Sequence, residues 1–593
     1  MTATDLAEAW RLHRAGEFDK AARLYLDVLR DDPKNYDALH RLAFLCGQLG
    51  RWEDAQSLMA HAIALNPRAP GPLFLRGSAL QKLNRHDEAV ACFDRALGLN
   101  PRIAEVRLNC AASLYRLRRY EEAGEEYRHL LDIAPDFPFA RGNRLFCQLQ
   151  CCDWRTLEGE TDAITADMRA GRRVIAPFDA KALFLSAEDE LACARAWAVN
   201  QHPGPAAPSP PRRQQHHSPL RIAYISADFR EGPLATLMTG VFEHHDRRRV
   251  ETIGVSLGAD DGSAARRRFA QAFDHFMDAN DKSDADIASE LRRMEIDFAV
   301  DLMGFTEGGR PGIFKHRPAP IQVGYLGYPG TTGGDWLDYL IADRVVVPDE
   351  QRRFYAEQLV YLPDAFLPRD TATKPSPTPV SRHDEGLPER GFVFACFNNA
   401  YKLNPVMFDI WMRLLRDVEG SVLWLSDANR AAKQNLLREA DARGISHERL
   451  VFAPFRPSPE EHLARLKLAD LFLDTLPYNA HTTASDALWA GLPVLTCLGN
   501  TFAGRVAASL LNAIGLPEMI TTTLDDYTSL ALKLARDPGA LTAIARKLSD
   551  RRDTHPLFDT ERFTRHLEGA YAQMWERAQR GMSPDHFAVP PLS

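Results

Sequence analysis

Along the first quarter of the chain, buried-type residues return at one fixed interval. Pro33, Pro67, Pro101 and Pro135 are spaced 34 residues apart, and three other classes of position keep their phase. Twelve residues before each proline stands Ala21, Ala55, Ala89 or Ala123, small enough for two antiparallel helices to approach closely. Eight before it come Tyr25, Met59, Phe93 and Tyr127, large residues suited to wedge between neighbouring hairpins. Fifteen before it, where two helices would turn into one another, are Phe18, Trp52, His86 and Tyr120, with Gly16 and Gly50 nearby in the first two units. Proline lacks an N–H and disfavours helical geometry in the residue before it, so it closes each second helix. A generic helical bundle has no reason to hold four classes of position in phase, and the pattern predicts a solenoid of stacked helical hairpins.

An interval of 34 is that of the tetratricopeptide repeat, so residues 1–140 are expected to form a superhelical binding solenoid. The helical pattern continues irregularly to about residue 200 and then meets QHPGPAAPSPPRRQQHHSPL, which has no apolar period. Residues 141–219 therefore read as a helical connector and a Pro-rich linker. His216 and His217 in that linker have no Cys or acidic neighbour to complete a metal site. From Arg221 onward, short apolar runs alternate with longer helical stretches: RIAYIS, VETIGVS, IDFAVDL, IQVGYLG and YLIAD. A polar, Pro-rich interval at residues 369–390 interrupts this alternation, which resumes with FVFACF, SVLWLS, RLVFAP, LFLDT and PVLTC. Strands separated by helices predict parallel sheets with crossovers on both faces. The expected fold is thus an α-helical solenoid followed by two Rossmann-like α/β lobes, at residues 220–385 and 386–580, with a tail at 581–593. Two such lobes bring the carboxyl ends of their strands to one cleft, where ligands of this architecture bind.

Composition narrows the function classes. The 593 residues are 45% hydrophobic and 26% charged, with a net charge of −8, which disfavours nucleic acid or an anionic membrane as the main partner. No apolar run of membrane-spanning length occurs and no leader-like segment is recognised, so a cytoplasmic protein without membrane insertion is expected. Nine cysteines without paired spacing fit reduced thiols, and the adjacent Cys151 and Cys152 fit helix packing better than metal binding.

Three segments carry candidate chemistry. In LFLDTLPYNAHTTASDALWAGLPVLT, His481, Thr482 and Thr483 precede a helical run, so free N–H groups and two hydroxyls converge at a helix N-terminus suited to an anion. Asp486 lies four residues beyond Thr482 and can face the same cleft; the alternative is a plain N-cap with a favourable first-turn charge. In CFNNAYKLNP, Asn398, Asn399 and Lys402 follow a predicted strand directly, which would let Lys402 serve as a point charge for phosphate or remain a solvated surface lysine. In RPSPEEHLARLKLADLFLDT, His462 and Arg465 stand one helical turn apart and can address one ligand together.

These segments, with DLMGFTEGGRPGIFKHRPAPIQVGYLGYPGTTG and FAGRVAASLL, resemble the O-GlcNAc transferase and SPINDLY family over residues from about 220 to 575, plus the repeats in front. The resemblance implies a glycosyltransferase of the GT-B type that moves a sugar from a nucleotide donor to Ser or Thr of a protein, with inversion and without a metal or other cofactor. It assigns Lys402 to the donor phosphates and His481, Thr482 and Thr483 to the phosphate-holding turn. It assigns Asp486 to the ribose, and His462 with Arg465 to the vicinity of the nucleotide, Asn399 lying in the same donor motif. The implied partners are a protein acceptor held by the repeats and a nucleotide sugar, with no nucleic acid.

Two departures bear on the donor. Where the family follows its first strand with a His-Pro pair, this chain reads SADFREGPLATLM and has Gly232, and a second family histidine is replaced by Phe305. Both positions border the sugar end, which leaves the general base open, with Asp228 and Glu231 as candidates by proximity or as loop caps. The family's best-known donor is UDP-N-acetylglucosamine. A CMP-linked nonulosonic acid transferred to flagellin is the alternative expectation, and a repeat scaffold with a degenerate transferase domain is a further one. A transferase acting on a free sugar or lipid stands last, since repeats are poorly matched to a small acceptor.

Overall fold

The structure, a computed structural model, describes residues 3–210 and 219–592. His216 and His217 lie outside the described residues. The chain divides into two compact units, Met1–Cys151 and Cys152–Ser593.

The first unit is the helical solenoid. Helices Phe18–Asp31, Trp52–Leu65, His86–Leu99 and Tyr120–Ile133 each stop two residues short of the periodic prolines. Each is preceded by its hairpin partner, Ala3–Arg14, Tyr36–Gln48, Pro70–Lys82 and Ala104–Arg116, and Ala140–Gln150 packs on the last hairpin. The periodic alanines and the Tyr25, Met59, Phe93 and Tyr127 set are all buried. The approach is tightest at Gly77, where a Cβ would lie 2.5 Å from the Phe93 ring. Gly50 turns between helices with φ 73°, and the same phase in the next two repeats is taken by Asn84 at φ 57° and Arg118 at φ 60°.

The second unit opens with helices Leu157–Arg169, Pro177–Ala180 and Ala187–Gln201. The Pro-rich linker does not run free where it is described. Ala206 N–H donates to Asp335 at 3.0 Å, Ala207 N–H donates to the Lys315 carbonyl at 2.8 Å, and Lys315 Nζ donates to the His202 carbonyl at 2.6 Å.

The N-terminal lobe is built on strands β1 (Leu220–Ser226), β2 (Val250–Ser256), β3 (His275–Asp278), β4 (Phe298–Asp301), β5 (Ile321–Gly324), β6 (Tyr339–Ala342) and β7 (Gln358–Tyr361). The C-terminal lobe follows with β8 (Val393–Cys396), β9 (Val422–Ser426), β10 (Leu450–Ala453), β11 (Leu471–Leu473), β12 (Val494–Cys497) and β13 (Ile520–Thr521). A last short strand, β14 (Phe587–Ala588), comes after the Thr560–Gln579 helix. The sheets run in the orders β14-β7-β6-β5-β4-β1-β2-β3 and β10-β9-β8-β11-β12-β13, parallel throughout. In each, the strand order reverses beside the first strand of the lobe, and that switch point opens the crevice that positions the site.

The expected division at residues 580 and 581 differs from the structure. The Thr560–Gln579 helix packs on Pro233–His244 of the N-terminal lobe, where Glu568 accepts the Asp246 N–H at 2.8 Å and faces His245 Nδ1 at 3.2 Å. The segment expected to be a tail adds β14 to the edge of the N-terminal sheet, pairing Phe587 with Val360. Neither element has a sequence signal of belonging to the first lobe, because the contacts that draw it back lie more than 200 residues away.

Candidate active site

A cleft of about 470 Å³ opens between the two lobes. From the N-terminal lobe it is lined by Asp228, Pro233, Thr306 and Tyr328, and from the C-terminal lobe by Asn398, Asn399, Lys402, Tyr478, His481, Thr482, Thr483 and Asp486. The position of each follows from strand ends. β8 terminates at Cys396 and delivers the two asparagines and Lys402, while β11 terminates at Leu473 and leads through Tyr478 into the Thr482–Ala490 helix.

That helix carries no side-chain cap on its first turn, so the N–H groups at its start remain available to a ligand in the cleft. Thr483 is spoken for: its hydroxyl donates to Asn398 Oδ1 at 2.7 Å, and Asn398 Nδ2 donates to Thr475 Oγ1 at 2.8 Å. These bonds tie the helix start to the end of β8. His481 sits at the N-cap position with Nε2 3.1 Å from the Ala503 carbonyl, which assigns it the Nε2–H tautomer. Burial, with Lys402 nearby, drives its pKa well below the ordinary value. His481 is therefore a neutral imidazole and leaves the positive charge of the site to Lys402 and the helix.

Lys402 is buried, donates to the Asn479 carbonyl at 2.8 Å and stands 3.8 Å above the centroid of the Tyr478 ring. Burial pushes its pKa down to about 7, against the pull of the Asp474 charge. Asp474 is itself buried, with its pKa raised by burial to about 6 although it accepts bonds from Thr496 Oγ1 and from the Ala480 and Thr475 N–H groups. An anion brought beside a lysine balanced in this way would favour its charged form, in surroundings poor in competing water.

Asp486 lines the cleft and receives Arg369 Nη1 on Oδ1 at 2.6 Å. His462 and Arg465 are not in the cleft wall. His462 Nε2 stands 4.0 Å from Asp486 Oδ2, and the Arg465 guanidinium turns away to the Pro454 carbonyl at 2.5 Å and to His462 Nδ1 at 3.1 Å. The two side chains contact each other, and the imidazole stands beside the cleft residue Asp486.

On the opposite wall, Asp228 faces the cleft in an ion pair with Arg230 at 3.0 Å. Glu231 is exposed and outside the cleft wall, its N–H directed to Asp261. Gly232 starts the Pro233–His244 helix at φ 154°, with open space where a side chain would extend. Phe305 is half-buried, its ring packed against the cleft residue Tyr328 at 5.4 Å and against Trp336 at 6.4 Å. Residues that sequence reasoning passed over include Tyr478 and Asn479, which sit inside the YNAHTT run next to the residues singled out, and Arg369, which opens the polar interval at 369–390. Among the described residues no cluster of three His, Cys, Asp or Glu side chains is arranged to hold a metal ion, and no helix is long and apolar enough to cross a membrane.

The sequence matches the profile of Glycosyl transferase family 41 over residues 204–376 and 371–567, and tetratricopeptide repeat profiles over 12–71 and 74–138. It is 39% identical over 387 residues to the probable UDP-N-acetylglucosamine–peptide N-acetylglucosaminyltransferase SEC of Arabidopsis thaliana, covering 64% of this chain and 39% of that protein. It is 33% identical over 377 residues to the probable enzyme SPINDLY of Hordeum vulgare, covering 62% of this chain and 39% of that protein. The chain thus spans about two fifths of the length of these curated relatives. Among solved structures, a mutant O-GlcNAc transferase of Thermobaculum terrenum superposes with a TM-score of 0.65 at 28% identity, covering 98% of this chain and all of that one. With the profile match extending over more than half of its length and two parallel-sheet lobes enclosing the matched residues, the chain belongs to Glycosyl transferase family 41.

Proposed function

We propose that the protein is an inverting protein O-glycosyltransferase that transfers a sugar from a nucleotide donor to Ser or Thr of a protein acceptor held by the repeats. The observation that carries this reading is Lys402 and the uncapped start of the Thr482–Ala490 helix facing one interlobe cleft. Breaking a glycosyl–phosphate bond places negative charge on the departing nucleotide. A buried ammonium and a row of backbone N–H groups already aimed at that charge stabilise it without reorganisation, a contribution of about 3–4 kcal/mol per well-placed donor. The acceptor hydroxyl attacks the anomeric carbon from the face opposite the phosphate, and its proton leaves to a base on the acceptor side. Asp228 is the residue of that wall we assign to it, with Arg230 required to swing aside. Because Lys402 and the helix supply the positive potential, no metal or other cofactor is assigned, and activity is expected to survive chelation.

The relatives' names support UDP-N-acetylglucosamine as donor. The open space at Gly232 and the packing of a half-buried Phe305 against Tyr328 alter the sugar end and support a bulkier donor such as a CMP-linked nonulosonic acid, with flagellin as acceptor, as the second reading. The cytoplasm is the proposed location, supported by nine cysteines that are all buried free thiols. Thermal unfolding of the protein and of Lys402→Ala against UDP, CMP and their sugar conjugates tests the donor site, because a ligand at about 100 times its Kd stabilises by about 2.7 kcal/mol. A shift with one nucleotide that weakens in the variant supports the reading and names the base. No shift with any of them returns the molecule to a scaffold role.

A further inference from the structure

Arg369 has a place that stability alone does not explain. It lies in the crossing between β7 and β8, and its backbone is anchored on the N-terminal lobe. The Arg369 carbonyl accepts the Thr560 hydroxyl at 2.8 Å, the next N–H, of Asp370, donates to the Thr236 carbonyl at 2.8 Å, and the Asp370 carboxylate takes Arg268 at 2.5 and 3.1 Å. Its side chain reaches the other way, into the C-terminal lobe, where Nη1 donates to Asp486 Oδ1 at 2.6 Å and comes within 3.4 Å of Ser485 Oγ. The residue is only 1% exposed, and its Nε is buried without a hydrogen-bond partner. Removing an arginine from water and leaving one of its N–H groups unsatisfied costs more than a well-packed apolar side chain would. What the arginine supplies instead is orientation.

We propose that Arg369 is a positioning and specificity residue for the donor, fixing the Asp486 carboxylate from across the lobe boundary so that its second oxygen accepts a ribose hydroxyl. The proposal rests on the reading above in which Asp486 meets the ribose. A carboxylate with one oxygen held at 2.6 Å by a buried guanidinium cannot rotate freely, and Oδ2 of this cleft-lining residue is left without a hydrogen bond among the described residues. The His462 imidazole stands 4.0 Å from Oδ2, and burial lowers its pKa against the pull of the Asp486 charge, which weakens it as a competing cation. An acceptor prepared in advance does not have to be ordered when the ligand binds. Because the arginine backbone belongs to one lobe and Asp486 to the other, the same contact couples recognition of the ribose to the mutual setting of the lobes.

The test compares binding of UDP with 2′-deoxy-UDP, and of CMP with 2′-deoxy-CMP, by calorimetry on the full chain and on Arg369→Met and Arg369→Lys. A hydrogen bond to a charged acceptor corresponds to about tenfold or more in affinity. The wild type is expected to prefer the ribonucleotide it binds by about that factor, Arg369→Lys to keep most of the preference, and Arg369→Met to lose it to below about threefold. The ratio is measured on one protein sample with two ligands, so partial unfolding of a variant does not create or hide it. A wild type that discriminates together with an Arg369→Met variant that discriminates equally overturns the role of Arg369 and leaves the donor reading intact. A wild type that binds ribo and deoxy forms alike, or binds none of the four, overturns the assignment of Asp486 and the proposal with it.

Discussion

The lowered pKa of Lys402 makes donor binding a proton-linked event, and the sign can be worked out. In the free protein burial places the lysine near 7, so it is about half charged at pH 7 and about 90% neutral at pH 8. A bound diphosphate favours the ammonium and raises its pKa toward or beyond the ordinary value. Binding therefore takes up a proton whenever the free lysine is neutral, and affinity falls as pH rises above 7. If only the protonated form binds, the apparent Kd grows as one plus the ratio of neutral to charged lysine, which gives about 50-fold weaker binding at pH 9 than at pH 7. The nucleotide phosphates are already ionised over this range and contribute little. Calorimetry with UDP at pH 8 in two buffers of different ionisation enthalpy is expected to report uptake of about 0.9 proton, and Lys402→Met to abolish both the uptake and the slope of Kd with pH. The reasoning is refuted by a wild-type Kd that is flat from pH 7 to 9, or by an uptake that persists in Lys402→Met. In the absence of ligand the linkage has the opposite effect. The unfolded lysine holds its proton up to about 10.4 while the folded one releases it near 7, so this group alone makes the free protein more stable as pH climbs through that window.

Three further outcomes are expected. Thr483→Val removes the bond to Asn398 and loosens the helix start from β8, which is expected to lower stability by about 1 kcal/mol and donor affinity several-fold, measured by urea unfolding and by UDP titration. Gly77→Ala forces a methyl group to within 2.5 Å of the Phe93 ring and is expected to cost about 1–3 kcal/mol within the solenoid, seen as faster amide hydrogen exchange in residues 70–99 while the cleft's affinity for UDP is unchanged. Glu568→Ala leaves the Asp246 N–H and His245 without their buried partner, and about 3–5 kcal/mol of destabilisation is expected, read by calorimetric unfolding and localised by exchange to the N-terminal lobe.

What could be read from the sequence was whatever repeats or sits close to a strand end. The solenoid was legible because each buried position recurs with the same residue class, and the core strands because β1, β2, β8 and β9 are apolar runs flanked by polar turns. Strand β3 was missed because it is an edge strand with no buried residue, so its sequence, HFMD, carries no apolar run. Lys402, Asn399 and the His481–Thr483 turn could be placed because strand and helix boundaries put them at the cleft. The direction of the Arg465 guanidinium was not legible, since one helical turn from His462 allows two orientations and the Pro454 carbonyl decides between them. Arg369 gave no local signal at all: a lone arginine before an aspartate in a Pro-rich interval becomes informative only when Thr560 and Asp486 are brought to it from opposite sides.

The return of the final helix and β14 to the first lobe has a consequence for how the protein is made. When β7 leaves the ribosome, its outer edge has no neighbour, and the strand that will cover it lies more than 200 residues downstream. At about 5–20 residues per second, the N-terminal lobe waits on the order of ten seconds or longer with an open sheet edge and an uncovered Pro233–His244 helix while the whole nucleotide-binding lobe is translated. Such an edge is a template for pairing with other chains. The first lobe to emerge is thus the last to be completed, and the interval before its closing strand arrives is when nascent chains of this protein are most exposed to misassembly.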